Sequence, residues 1–353
     1  GAVILAAILI VLGLDGALHA RAEGWWFDSL GYGAIFWARF GFQVALFTTI
    51  GTLSWLWLWG NLNLALGRLP RRVSPTPAPG LPEKWWVRSP ELGNGGSKSP
   101  QNVDDVKLQL NGALSFRETI AIAVVIILAL ELLGLHYGTV AWESFRGVLN
   151  GDISAATLGG LSLESIPDRF SPEFLGRRLG QIAGGSRWQW WLGMAIIAGA
   201  ALMVRPVAAL MGLALVQSLS FAWILGRQWP VWLLASFGGD FNQADPLFEL
   251  DIGTYIFSLP LLDLLDFWLI GLIGLGLLSV ILVYLLGART LERGRFPGMT
   301  LIQQRHGCRL LGLLFMAIAG SLCLSCLELV YSPRGVTYGA SFTDIWVQFP
   351  VNA

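Results

Sequence analysis

Charge is scarce in this chain. Only 13% of its 353 residues are Asp, Glu, Lys or Arg, about half the roughly 25% typical of soluble globular proteins, and this shortfall excludes a water-soluble domain. The charges that are present cancel, 23 Lys+Arg against 23 Asp+Glu, so no basic excess addresses a nucleic acid. Cysteine is almost missing. Cys308, Cys323 and Cys326 are an odd set with two members inside an apolar run, which excludes a secreted disulfide framework. Histidine is as rare, and His19, His136 and His306 are scattered. No G-x-x-x-x-G-K-[ST] loop, H-E-x-x-H helix or G-x-S-x-G elbow occurs, so nucleotide-driven transport, zinc chemistry and triad hydrolysis have no foothold in this sequence. Cys323-Leu324-Ser325-Cys326 fits C-x-x-C, but on an apolar helix the pair reads as two small packing residues, because thiolates are disfavoured there. The chain is therefore not expected to be an enzyme.

What is plentiful is apolar and aromatic. Hydrophobic residues make up 54%, with 17 Trp, 19 Phe and 43 Gly, and the mean hydropathy is +0.61. A bilayer core of about 30 Å is crossed by roughly 20 apolar residues in a helix. Seven stretches of that kind run from Ala2 to Leu18, Phe40 to Leu66, Ile120 to Leu135, Trp188 to Val204, Val207 to Leu225, Leu259 to Ala288 and Leu310 to Leu329. The fourth and fifth touch at Arg205-Pro206, where proline removes a donor; their combined length favours a tight hairpin over one kinked helix. The first lacks a basic n-region and so does not read as a signal peptide; the chain reads as trimmed at its amino end.

Lys and Arg concentrate in alternate connections, which sets orientation because positive loops resist translocation. The amino end is expected in the cytoplasm and the carboxyl end outside. On this topology the cytoplasmic connections hold 14 Lys+Arg against six acids, and everything else nine against 17, so the neutrality is a cancellation between a basic inner face and an acidic outer one. Trp55, Trp57 and Trp59 mark an inner boundary and Trp188, Trp190 and Trp191 an outer one, where indoles anchor at headgroup level. The fold class is thus all-α: a polytopic membrane helix bundle of about seven helices with a small extracytoplasmic cap. Residues 1–70 hold spans one and two with an outer interfacial segment, 71–117 a Pro/Gly-rich cytoplasmic linker, 118–136 span three, 137–187 the cap, 188–330 spans four to seven, and 331–353 the start of an outer region.

Ionisable groups inside a membrane are costly and each invites an explanation. Asp15, Glu131, Asp263, Asp266 and Glu328 all fall in the outer half, and Asp15 shares a helix face with His19. The functional reading is an outward-open polar pocket built from Asp15, His19, Glu131, Asp263, Asp266 and Glu328, holding a cation, a proton or a polar ligand group. The plainer reading pairs them at interfacial ends with Arg21, Arg39 or backbone, and it carries more weight. A second acidic group, Asp240, Asp245, Glu249 and Asp251, lies in the fifth connection without the EF-hand pattern and reads as solvated loop charge rather than a Ca²⁺ site. Small pairs such as Ala195 and Gly199 suit close helix approach.

Three motifs stand out. They are Trp25-Trp26-Phe27-Asp28-Ser29-Leu30-Gly31-Tyr32 leading to Phe36-Trp37-Ala38-Arg39; Asp245-Pro246-Leu247-Phe248 with Asp251-Ile252-Gly253-Thr254-Tyr255-Ile256-Phe257 and Leu259-Pro260; and Tyr331-Ser332-Pro333-Arg334-Gly335-Val336 with Gly339-Ala340 and Thr343-Asp344. In order and position the chain resembles the bacterial and cyanobacterial membrane family numbered 0182 in the uncharacterised-protein-family series. The resemblance implies a seven-helix amino-terminal membrane domain followed by a large extracytoplasmic domain, expected to begin about where this chain stops at Ala353. It supplies no catalytic residues. The family pattern carries Gly where this chain has Glu249, which puts a turn role there in question.

In physical terms, Asp245-Pro246 opens a turn and Pro260 suits the first turn of a span. Trp25 to Trp37 reads as an amphipathic segment on the outer surface. An outer collar is expected from Trp26, Tyr32, Arg39, Asp245, Asp251, Tyr255, Arg334 and Asp344, with Arg334 paired to an outer carboxylate. The leading expectation is a non-enzymatic anchor and scaffold for an outer domain or for partner subunits. One rival is a transporter or channel using the outer carboxylates. Another is an accessory or assembly subunit of a pigment-bearing photosynthetic complex, with His19, His136 or an acid as axial ligand. No cofactor or metal is expected beyond bound lipid, pigment staying open. Expected partners are membrane lipid, an outer domain, other membrane subunits or further copies of the chain, in a bacterial plasma membrane or a thylakoid.

Overall fold

The computed structural model describes residues 20–67, 114–149, 188–287, 295–296, 298–331 and 339–352, with Leu18 and glycines 176, 180 and 184. A short helix α1 covers 20–29. There follow α2 Gly33–Ala65, β1 Leu114–Ser115, α3 Phe116–Leu149, α4 Trp188–Val204, α5 Pro206–Arg227 and α6 Trp229–Phe237. A π-helical turn, Thr254–Ser258, leads into α7 Leu259–Leu285, then come β2 Arg295–Phe296 and α8 Leu301–Leu327, closed by the 3-10 turn Glu328–Tyr331. A second π turn, Asp344–Gln348, precedes α9 Phe349–Asn352. β1 and β2 pair antiparallel, Leu114 with Phe296.

The described chain is mostly helical, and five stretches are long and apolar enough to cross a membrane: Gly33–Ala65, Phe116–Phe145, Pro206–Arg227, Thr254–Leu285 and Leu301–Tyr331. The apolar part of α4, Gly193–Val204, is shorter. Of the first expected span only Leu18 is described. Several helices outrun their apolar cores. α2 starts at Gly33, α3 runs from Phe116 to Leu149 and α8 starts at Leu301, because only the hydrocarbon excludes charge and a helix continues into the headgroup layer. Residues 137–149, the start of the expected cap, thus continue α3, and Arg305 and Arg309 ride on the first turns of α8. That helix begins with a reciprocal cap: Thr300 N–H donates to Gln303 Oε1 at 2.9 Å, and Gln303 N–H to Thr300 Oγ1 at 3.4 Å.

α7 is the axis of the bundle. Of its most apolar stretch 67% is buried, against 11% for α8. Its glycines admit the neighbours: a Cβ on Gly271 would collide with the Tyr137 ring, one on Gly274 would lie 3.3 Å from Leu133, and one on Gly276 would lie 3.2 Å from the Trp57 indole nitrogen. These contacts also fix directions. Leu133 meets Gly274 and Tyr137 meets Gly271, so α3 and α7 are antiparallel. Phe47 meets Gly226 and Gly51 meets Ala222, so α2 and α5 are antiparallel. α3 and α5 run parallel, since Gln217 Nε2 donates to the Gly134 carbonyl and Arg227 Nη1 to that of Ser144 at the same sequence offset of 83.

That register decides the form of the Arg205-Pro206 junction. Were α4 and α5 one kinked helix, Gly199 would stand beside the start of α3. Its Cβ position instead lies 3.6 Å from Ile127 and 2.9 Å from Glu131, so α4 folds back along α5 as a hairpin. Arg205, at φ −135° and ψ 64°, makes the corner. Successive long helices thus alternate in direction. One end of the bundle carries α1, the end of α3, α6, the loop 238–253 and the segment 339–352; the other carries the β1–β2 pair.

Candidate functional site

At the first of these ends, α1 and α2 form a helical hairpin. Gly31, at φ +79°, ends α1 in a Schellman turn: Tyr32 N–H donates to the Phe27 carbonyl at 2.9 Å and Gly31 N–H to that of Asp28 at 3.0 Å. The Asp28 carboxylate lies where a Cβ of Gly33 would be. The segment from Trp25 to Trp37, expected to be amphipathic, is thus two helical pieces broken at Gly31, with Trp37 on α2. Arg39 clamps the hairpin, its Nη2 donating to Glu23 Oε1 at 2.6 Å with its guanidinium 5.5 Å from the Phe27 ring centre and 5.6 Å from that of Phe36. Trp26 and Tyr32 are exposed.

The loop between α6 and α7 is organised by two aspartates. Asp245, 6% exposed, accepts from the Leu247 and Phe248 amides at 3.2 and 2.6 Å and from the Tyr255 hydroxyl at 3.1 Å. It caps the single turn Pro246-Leu247-Phe248, which Glu249 ends at φ +58°. The turn role put in question at Glu249 is thus kept, with its side chain in a left-handed, strained conformation. Asp251 accepts from the amides of Phe241 at 3.1 Å, Gln243 at 3.2 Å and Gly253 at 2.7 Å. The donors of Phe241 and Gly253 lower its pKa below the ordinary aspartate value. Asp245 and Asp251 are therefore structural carboxylates rather than solvated loop charges, each accepting three hydrogen bonds from the fold. Among the described residues no group of three His, Cys, Asp or Glu is placed to hold a metal ion.

The third segment joins the second. Asp344, 4% exposed, accepts from Ser341 N–H at 2.9 Å while Ser341 Oγ accepts from Asp344 N–H at 3.3 Å. The Phe349 ring then meets Phe248 at 5.8 Å between centres, so the residue posed by the Asp245 cap touches the start of α9. Arg334 lies outside the described residues.

The polar residues expected to share one pocket are spread over several contacts. Asp15 and His19 lie outside the described residues. Asp266, on α7 and 7% exposed, is within electrostatic reach of Tyr137, whose hydroxyl donates to the Phe267 carbonyl at 3.2 Å. Glu131 leans on Gly199 of α4, the missing Cβ making room for its carboxylate. Tyr137 stands about 9 Å further along α3 than Glu131 by helical rise. Asp263 is half-buried on the first turns of α7 and Glu328 opens the 3-10 turn beyond α8. The structure thus brings Asp266 to Tyr137 and Glu131 to α4.

One buried group at the opposite end has no counterpart among the sequence candidates. Tyr284 Oη and His306 Nδ1 are 2.7 Å apart, and His306 Nε2 is 3.0 Å from Asn61 Oδ1, whose Nδ2 donates to the Trp57 carbonyl at 2.8 Å. Since Asn61 presents its oxygen, the neutral imidazole carries its proton on Nε2 and accepts from Tyr284. The chain ties α2, α7 and α8 together. His306 was legible only as an isolated histidine, because its partners lie on two other helices.

The chain matches the uncharacterised protein family UPF0182 over residues 1–353. It belongs to that family. Similar proteins include a UPF0182 protein of Nostoc sp., 33% identical over 353 aligned residues that cover 96% of this chain and 32% of the relative. One of Trichodesmium erythraeum is 36% identical over 251 residues, 71% of this chain and 24% of the relative. One of Thermosynechococcus vestitus is 27% identical over 356 residues, 98% of this chain and 32% of the relative. The UPF0182 chain spans about a third of the length of the curated relatives it matches. No solved structure matches it.

Proposed function

We propose that this UPF0182 chain is a non-enzymatic membrane anchor and scaffold whose outer end seats partner subunits or an extracytoplasmic part of the longer protein. The observation that carries the reading is the construction of that end. Three segments with buried or hydrogen-bonded carboxylates, the α1–α2 hairpin, the 238–253 loop and the 339–352 segment, occupy one end of the bundle, and Phe248 touches Phe349. Rigid, backbone-satisfied loops suit a docking platform better than a gate. The amino end is assigned to the cytoplasm from the Lys and Arg distribution. Seven crossings follow if Ala2 to Leu18 and α4 both span. Lipid covers the exposed apolar belts, and the host membrane is a bacterial plasma membrane or a thylakoid.

The test is Phe248→Asp in the full-length protein, purified from its own membrane. Loss of co-purifying subunits, or new protease sensitivity of the remaining chain, is expected with the bundle still inserted. Unchanged partners and an unchanged digestion pattern would sink the reading. A second reading, a transporter, is favoured only by Asp266, buried on the axial helix beside Tyr137. If Asp266→Asn abolishes a proton- or cation-dependent flux in sealed vesicles while Phe248→Asp leaves that flux unchanged, transport replaces anchoring.

A further inference from the structure

Two segments of the chain are built alike, position for position. Asp251 and Ser341 each cap a helix start, through Asp251 Oδ1 accepting from Gly253 N–H at 2.7 Å and through the reciprocal Ser341–Asp344 pair. Two helical residues follow in each case, 252–253 and 342–343. Next come the π turns Thr254–Ser258 and Asp344–Gln348, and then an α-helix beginning Leu259-Pro260 or Phe349-Pro350. In both, the amide after the π turn reaches back five residues, Leu259 N–H to the Thr254 carbonyl and Phe349 N–H to that of Asp344. Proline supplies the cause. In an α register Pro260 and Pro350 would press their rings on the carbonyls of Ile256 and Trp346 and offer them no donor; the wider turn relieves both defects.

The first of these turns launches α7, the most buried helix of the bundle. The second launches α9, which lies against α8 and meets the loop ahead of α7 through Phe248 and Phe349, so both start from the same end. α8 has room for a neighbour. Of its 27 residues only His306, Leu310 and Cys326 are buried. Its far face exposes Cys308, Gly312, Ala319 and Cys323 in one stripe, with the large Phe315 and Met316 exposed along its two edges midway, and nothing lies within 4 Å of a Cβ at Gly312. Lipid alone would cover an apolar face, but the small residues at its two ends let a second backbone approach closely there, with Phe315 and Met316 offering apolar contact between them. The curated relatives are about three times as long as this chain.

We infer that the chain from Phe349 onward forms a further membrane-crossing helix, antiparallel to α8 and seated on its Gly312–Ala319–Cys323 stripe. With the amino end in the cytoplasm, the chain beyond this helix leaves the membrane on the cytoplasmic face. An extracytoplasmic part of the protein is then reached only by another crossing. This goes beyond the anchor reading and does not depend on it.

The test uses the full-length protein in sealed native membranes. With Cys308→Ser and Cys326→Ser in place, single cysteines are scanned through about ten positions after Pro350, some three helical turns, and oxidised mildly. Disulfides to Cys323 within one chain are expected at every third or fourth position. Absence of any such cross-link, cross-links without that period, or a Cys323–Cys323 bond between two chains would each overturn the packing, the last giving the face to a second copy. Independently, Ser341→Cys and a cysteine about 25 residues past Pro350, beyond one crossing, are treated with a membrane-impermeant maleimide. Labelling from opposite sides is expected, and labelling of both from the same side overturns the crossing. The labelling reports which side each cysteine faces, whereas the anchor test reads co-purifying partners, so failure here and failure of the anchor reading are distinguishable.

Discussion

Replacing Gly271 with alanine places a methyl group inside the present volume of the Tyr137 ring. Neither partner has slack. Tyr137 is 1% exposed, its ring is packed edge-on against Phe267 and Phe221 with centres at 4.8 and 5.0 Å, and its hydroxyl is held by the Phe267 carbonyl. The ring must leave its place or α3 must separate from α7. Overpacking of this kind costs about 1–3 kcal/mol, and the lost interhelical hydrogen bond adds about 0.6 kcal/mol, the mean for such bonds in membranes. Gly271→Ala is therefore expected to destabilise by about 2–3 kcal/mol in reversible unfolding in mixed micelles. The same glycine change in a Tyr137→Leu background meets a smaller side chain and should cost under about 0.5 kcal/mol, a coupling of roughly 2 kcal/mol. If Gly271→Ala is tolerated in the parent, or if its cost is the same in both backgrounds, the close approach of α3 to α7 at this point is not what holds the axis.

Two further expectations concern the 238–253 loop and test its backbone. Glu249 sits at φ +58° with its side chain exposed, so Glu249→Gly should stabilise by about 1 kcal/mol, the conformational cost of a left-handed non-glycine residue; a lower unfolding midpoint would contradict this. Asp251 has its folded-state pKa lowered by backbone donors, so its contribution is complete above the ordinary aspartate pKa of about 3.9 and is lost as the pH falls through the lowered value. Exchange protection of the Phe241, Gln243 and Gly253 amides, corrected for intrinsic rates, should be flat from neutral pH to about pH 4 and drop below it. In Asp251→Asn it should be low throughout, and a pH-dependent drop persisting there would remove Asp251 as the cause.

The helices were legible because lipid imposes one long apolar period on each, and six of the seven expected stretches fall on described helices. Their ends were not. Composition marks where hydrocarbon stops, whereas α3 is helical to Leu149 and α8 starts where the Thr300–Gln303 capping pair allows. The Arg205 hairpin was legible as a preference, but only the α3–α5 register and the place of Gly199 fix its geometry. The site divides the same way. Asp245, Asp251 and Asp344 were visible as motif residues, yet their role as acceptors for backbone amides depends on loop conformation that no spacing rule describes. The Tyr284–His306–Asn61 chain joins three helices and left no local signal at all.

The carboxylates also change what the acidic outer face means. On the topology expected from the sequence, a bare count of 17 acids away from the cytoplasmic connections suggests a field that collects cations. Asp245 and Asp251 instead direct their oxygens at amides, and Glu23 is held by Arg39. Charge bound in this way fixes loops more than it projects into solvent. A partner meeting this end would thus be recognised first by its shape and by aromatic residues such as Trp26, Phe241 and Phe342, all exposed, and raised salt should weaken its association only modestly. An association lost steeply with salt would return the weight to the acids that remain free of such contacts, among which Asp240 and Glu249 stand exposed on the loop.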